Sequence, residues 1–132
     1  MDKKKILIVD DEEDILKVLG LRLSKAGYSV LKANNGKDAL IMAKNEHPDL
    51  IVLDIMMPIM GGNEIAAELK EDPQTKDIPI MFLTSLFTRE EERGRGHGIA
   101  DNVLFAKPYN PQELLEEVKK QLAVKLKING TN

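Results

Sequence analysis

The sequence predicts an α/β domain built on a five-stranded parallel sheet with helices on both faces, and three observations lead there. Short apolar runs alternate with segments of helical periodicity in the order β-α-β-α-β-α-β-(α)-β-α. The run Leu50 to Leu53 shows no polar alternation, which marks a strand covered on both faces. Four of the five apolar runs end in groups capable of chemistry: Asp10-Asp11, Asp54, Thr84 and Lys107. A parallel sheet gathers its strand ends on one edge, and that edge is where open α/β sheets bind ligands.

Taken in order, Lys5-Ile6-Leu7-Ile8-Val9 reads as a first buried strand ending in Asp10 and Asp11. The acids Glu12-Glu13-Asp14 suit the positive end of a helix, and Ile15, Leu16, Leu19 and Leu23 recur at helical spacing until Ala26-Gly27. Tyr28 to Ala33 is a second strand and Asn34-Asn35-Gly36 a turn. The second helix carries Ala39, Leu40 and Ala43 and stops before His47-Pro48.

The third strand runs into Asp54, and the loop from Met56 to Gly62 follows, where Gly61-Gly62 is expected to adopt backbone angles other residues resist. Ile65 and Leu69 mark a third helix closed by Asp72-Pro73, and Ile78 to Thr84 is a fourth strand that tolerates Pro79 near its start. Val103-Leu104-Phe105-Ala106 is a fifth strand leading to Lys107-Pro108. Asn110, Pro111 and Glu113 supply an N-cap, a first-turn proline and a third-position acid for a last helix, with Leu114, Leu115, Val118 and Leu122 facing inward.

Between the fourth and fifth strands the pattern breaks. Thr88-Arg89-Glu90-Glu91 resembles a capping box, yet Arg89 to Gly98 contains no apolar residue, and Gly94, Gly96 and Gly98 weaken a helix further. A weak or frayed fourth helix is expected there. Its charged residues read as a solvated face.

The 132 residues fit one domain, with 1–127 as the folded unit and 128–132 as a tail. With no Cys there are neither disulfides nor thiolate metal sites, and no run is long and apolar enough for a signal core or a membrane span. A cytoplasmic protein without membrane insertion is expected. The net charge of −3 is spread evenly, with no basic face of the kind nucleic-acid binders carry, so no direct nucleic-acid contact is expected.

The converging groups have a definite chemistry. Three carboxylates in one small pocket repel one another unless a cation neutralises them, and hard oxygen donors without His or Cys favour Mg²⁺. Mg²⁺ beside Lys107 suits a phosphoryl group, to which Thr84 can donate a hydrogen bond. A carboxylate can itself accept the phosphoryl group, and Asp54, alone at the central strand end, is the candidate. Met56, Met57 and Met60 read as loop packing, and neither His47 nor His97 as an acceptor.

At these residues the chain resembles the receiver domain of two-component response regulators. Asp10-Asp11, the Leu-Asp-Ile-Met-Met-Pro run around Asp54, Gly62, Thr84 and Lys107-Pro108 fall at the family's spacing, and the resemblance runs from Ile6 to about Leu122. It implies a doubly wound, flavodoxin-like sheet in the order 2-1-3-4-5. It implies that a sensor histidine kinase or histidine phosphotransfer protein phosphorylates Asp54, with Mg²⁺ held by Asp11, Asp54 and the Met56 carbonyl and Asp10 acting through water. It further implies that Lys107 and Thr84 bind the phosphoryl oxygens, that Thr84 moves on phosphorylation, that Lys107-Pro108 is cis, and that Met56 and Leu86 flank the path of attacking water.

Three positions depart from the family pattern: Gly61-Gly62 replaces Asp-Gly, Leu104 stands at a switch position commonly aromatic, and the apolar-free stretch 89–98 occupies the usual signalling helix. The leading reading is a stand-alone receiver that both accepts and loses its phosphoryl group by its own catalysis, outside the conventional enzyme classes, and signals to a downstream protein. Alternatives are the front of a longer regulator, with Asn129 to Asn132 beginning a linker, and an unphosphorylated scaffold. A phosphohydrolase of the haloacid-dehalogenase kind would want a second Asp at Met56, and a flavin carrier more aromatic residues.

Overall fold

The structure, a computed structural model, describes residues 3–84, 98–99, 102–106 and 109–126, with side chains in 3–83 and 109–123. The elements are β1 (Lys5–Val9), α1 (Glu13–Lys25), β2 (Ser29–Ala33), α2 (Gly36–Glu46), β3 (Leu50–Asp54), α3 (Gly62–Glu71), β4 (Ile80–Thr84), β5 (Gly98–Ile99), β6 (Asn102–Ala106) and α4 (Pro111–Leu126). The sheet order is β2-β1-β3-β4-β6-β5.

Strands β2, β1, β3, β4 and β6 pair in parallel, whereas β5 runs antiparallel to β6 with Gly98 opposite Val103 and Ile99 opposite Asn102. The expected all-parallel, five-stranded sheet is corrected at this edge. Gly98 belongs to a further, two-residue strand whose backbone pairs with β6. Residues 89–97, and the weak helix expected over them, lie outside the described residues.

Alternation along β1 explains why its sequence looks uniformly apolar. Leu7 and Val9 join one core with Ala39 and Ala43 of α2 and Ile65 and Leu69 of α3. Ile6 and Ile8 point oppositely, into a second core with Leu16, Leu19 and Leu23 of α1 and Leu114 and Val118 of α4. Each face of the sheet is covered, so every residue of β3 from Leu50 to Asp54 is buried.

The helix ends follow local rules. Asn35 Oδ1 accepts from the Asp38 amide (2.8 Å) and Asn110 Oδ1 from those of Gln112 and Glu113 (2.9 and 3.0 Å). Helix α1 ends into Gly27 at φ +103°, and α2 ends on His47, itself left-handed at φ 49°. At the end of α3, Asp72 Oδ1 accepts from the Gln74 amide (2.9 Å) while Oδ2 lies 3.4 Å from Lys44 Nζ on α2. Led by the backbone bond, with Lys44 adding to it, these partners hold the Asp72 carboxyl below its usual range. Because the folded value is depressed, the stabilisation is present at neutral pH and is lost as acid takes the solution down through that lowered value.

Thr75 is 1% exposed, and its Oγ1 donates to the Leu69 carbonyl at 2.7 Å, satisfying a terminal acceptor of α3. Thr75→Val keeps the shape and strands that carbonyl. We expect a loss of about 1–3 kcal/mol, read as a lowered urea midpoint with an unchanged m-value.

Candidate functional site

The site is built where β1 and β3 end side by side. Val9 is opposite Leu53 across the ladder, so the residues that follow, Asp10 and Asp54, emerge at the same edge. Asp10 is 3% exposed; its amide donates to the Ala33 carbonyl (3.2 Å), and its Oδ1 accepts from the Glu12 amide (2.9 Å). Those bonds fix it between β2 and the first turn of α1. Asp11, next along, is exposed.

Asp54 is 5% exposed and remains in the sheet, opposite Leu83 of β4. Its Oδ1 accepts from the Met56 amide at 3.2 Å. One carboxylate oxygen each from Asp10, Asp11 and Asp54 lies within 4.8 Å of the others, the one such grouping of three acidic, His or Cys ligands among the described residues. At an effective dielectric of 20, two unit charges 4 Å apart interact by about 4 kcal/mol. A cluster of this kind invites a cation.

The sequence anticipated that Thr84 and Lys107 would join this edge. Thr84 is the last residue of β4, in register with Ala106, the last of β6. Its backbone thus lies one residue past Leu83, the ladder partner of Asp54. The Thr84 and Leu104 side chains, and all of Leu86, Lys107 and Pro108, lie outside the described residues.

The loop after β3 differs from expectation. Neither Gly61, at φ −77°, nor Gly62 has a positive φ. Gly62 is needed for space: a Cβ there would sit 2.5 Å from the Asp54 carbonyl oxygen and 2.8 Å from Ile55 Cα. Its amide donates to the Ile55 carbonyl at 2.9 Å, holding the start of α3 against the end of β3. The left-handed residue is instead Ile59, at φ 71° and fully exposed, an uncommon state for a β-branched side chain. Met57 and Met60 pack against the α2–α3 core as expected, whereas Met56 is 57% exposed.

Sequence reasoning also passed over Glu64, whose Oε1 accepts from the Gly61 amide at 3.1 Å. The signal was the spacing of an acid three residues after a helix-opening position.

The family described as the response regulator receiver domain matches residues 6–119. The chain is 42% identical over 122 residues to the probable transcriptional regulator ycf27 of Cyanophora paradoxa, covering 92% of this chain and 49% of that one. It is 41% identical over 119 residues to the alkaline phosphatase synthesis transcriptional regulatory protein PhoP of Bacillus subtilis, covering 88% and 47%. It thus spans about half the length of these relatives.

Among solved structures, a CheY-like response regulator receiver domain protein of Methanospirillum hungatei superposes with a TM-score of 0.82 at 30% identity, covering 97% of this chain and all of that one. Chemotaxis protein CheY4 of Vibrio cholerae gives 0.78 at 32%, covering 90% and 98%.

Proposed function

The chain belongs to the response regulator receiver domain family, and from that premise we propose that Asp54 is its phosphoryl acceptor. The observation that carries this reading is the buried Asp54 at a central strand end with Asp10 and Asp11 within 4.8 Å. In the proposed reaction an Asp54 oxygen attacks the phosphorus of a phosphohistidine on a sensor kinase or phosphotransfer protein. The P–N bond breaks as the P–O bond forms, the imidazole nitrogen takes up a proton, and an aspartyl phosphate remains.

The donor set fits Mg²⁺, since hard carboxylate oxygens converge with neither His nor Cys among them. Asp11, Asp54 and the Met56 carbonyl would hold the ion, with Asp10 acting through water. When bound, it supplies neutralising charge for the carboxylates and the phosphoryl oxygens. Asp10, fixed by its bonds to Ala33 and Glu12, keeps the pocket's shape. The Met56 amide holds one oxygen of Asp54 and so orients the carboxylate. Lys107 and Thr84, following β6 and ending β4, would take the phosphoryl oxygens, and a movement of Thr84 would report the change to a downstream protein. Turnover of the phosphoryl group would be the domain's own, in the cytoplasm and outside the conventional enzyme classes.

A second reading has its own support. Relatives such as ycf27 and PhoP are about twice as long and are named as transcriptional regulators. The receiver would then control a further domain of the same protein, and nucleic-acid contact would belong to that domain. The length of the natural reading frame decides between the two.

Intact mass after incubation with acetyl phosphate and Mg²⁺ tests the acceptor. The protein should gain one phosphoryl group only when Mg²⁺ is present, and Asp54→Ala should gain none. A gain retained by Asp54→Ala would place the acceptor elsewhere.

A further inference from the structure

The two edges of the sheet are treated differently. On one side β5 covers β6; on the other, no described strand pairs with the outer side of β2. The Ser29 amide bonds to the Lys4 carbonyl, and the Ala33 carbonyl accepts from the Asp10 amide, so the odd residues of β2 face β1. The amides and carbonyls of Val30 and Lys32 therefore point outward, because backbone groups alternate along a strand. They form a short row of donors and acceptors of the kind an added strand can use.

The surroundings of this row are specific. On the α1 side lies a groove of about 530 Å³ lined by Lys3, Lys17 and Lys32 together with Leu21. No carboxylate pairs with these three lysines among the described residues. The Lys32 tail is laid back over Gly20 of α1 rather than across the strand edge. A second groove, about 470 Å³, lies at the C-terminal end of β2 and is lined by Glu13 and Leu16 of α1, by Lys32, and by Ile41 of α2; Ile41 is 49% exposed and Leu21 of the first groove 57%. The acids of the second groove, Glu13 and Asp38, accept hydrogen bonds from Asn34 and Asn35 beyond the end of the strand.

We propose that the outer edge of β2 is a docking site for an extended acidic segment of another protein, which adds as a strand with acids toward α1 and apolar side chains toward α2. Backbone pairing with Val30 and Lys32 supplies attachment, and the alternation of charge and apolarity supplies selectivity. The lysines decide the occupant. A second copy of this chain joined edge to edge would bring three like charges against three others, whereas an acidic peptide neutralises them. Nucleic acid offers no backbone complement to the strand and meets a chain of net charge −3.

The test is independent of phosphorylation, so its failure leaves the acceptor reading untouched. The probe is an acetylated, amidated Glu-Val-Glu-Val-Glu-Val hexapeptide titrated into the full chain and followed by amide NMR, with a Lys-Val hexapeptide as control. Saturable shifts and slowed exchange at the Val30 and Lys32 amides are expected. Affinity should fall at least tenfold in Lys17→Glu/Lys32→Glu and in Val30→Pro, which deletes an outward amide but no β1 bond. Should Val30→Pro not fold, exchange protection in the unaltered protein still decides. Equal binding of the Lys-Val peptide, absence of protection at Val30 and Lys32, or full affinity in a folded Val30→Pro each overturns strand addition, the last in favour of a plain ionic patch. So does a concentration-dependent dimer that Val30→Pro dissolves.

Discussion

Gly62→Ala should destabilise the domain by about 3 kcal/mol, at the upper end of what overpacking costs. The new Cβ would stand 2.5 Å from the Asp54 carbonyl oxygen and 3.1 Å from its carbon, both main-chain atoms of a fully buried strand. Neither can swing aside. Gly20→Ala is the contrast: its Cβ would meet Lys32 Cε at 2.7 Å, the far end of a flexible chain. There the helix gains about 0.5–1 kcal/mol from losing a glycine. Chemical denaturation of the two variants should therefore give opposite signs, and equal small effects would disprove the steric account of Gly62.

Mg²⁺ at about a hundred times its dissociation constant should stabilise the protein by about 2.7 kcal/mol, since an ion that binds only the folded state adds RT ln(1 + [L]/Kd). For a chain of this size that is a rise in Tm of roughly 10 °C. In Asp11→Ala the rise should vanish at the same concentration, while stability without the ion should not fall, since Asp11 is exposed and its removal relieves repulsion within the carboxylate cluster. A melting temperature indifferent to Mg²⁺ in the unaltered protein would remove the ion from the carboxylate cluster.

Much of this architecture is legible because its determinants are local. Continuous apolar runs gave β1 and β3, and cap residues such as Asn110 placed a helix start where Gln112 and Glu113 do donate to its side chain. The convergence of Asp10, Asp11 and Asp54 followed from strand ends alone. Other features depend on contacts distant in sequence or on backbone geometry that leaves no pattern. The two residues of β5 are too short for a periodicity, and the sequence offered only a weak or frayed helix up to Gly98, with no strand signal. Gly62 looks like a torsional requirement until the neighbouring strand is in place. The positive φ of Ile59 runs against its residue type altogether.

Asp54 is held through its ladder partner Leu83, through the Met56 amide, and by the backbone of α3 pressed beneath it at Gly62. It is an anvil rather than a lever. Charge or bulk added to its carboxylate cannot be absorbed by the residue that carries it, so the recoil passes to whatever faces the pocket from outside this clamp. Under the proposed phosphorylation of Asp54, variants that alter signalling are therefore expected among those outer groups rather than in the anvil itself.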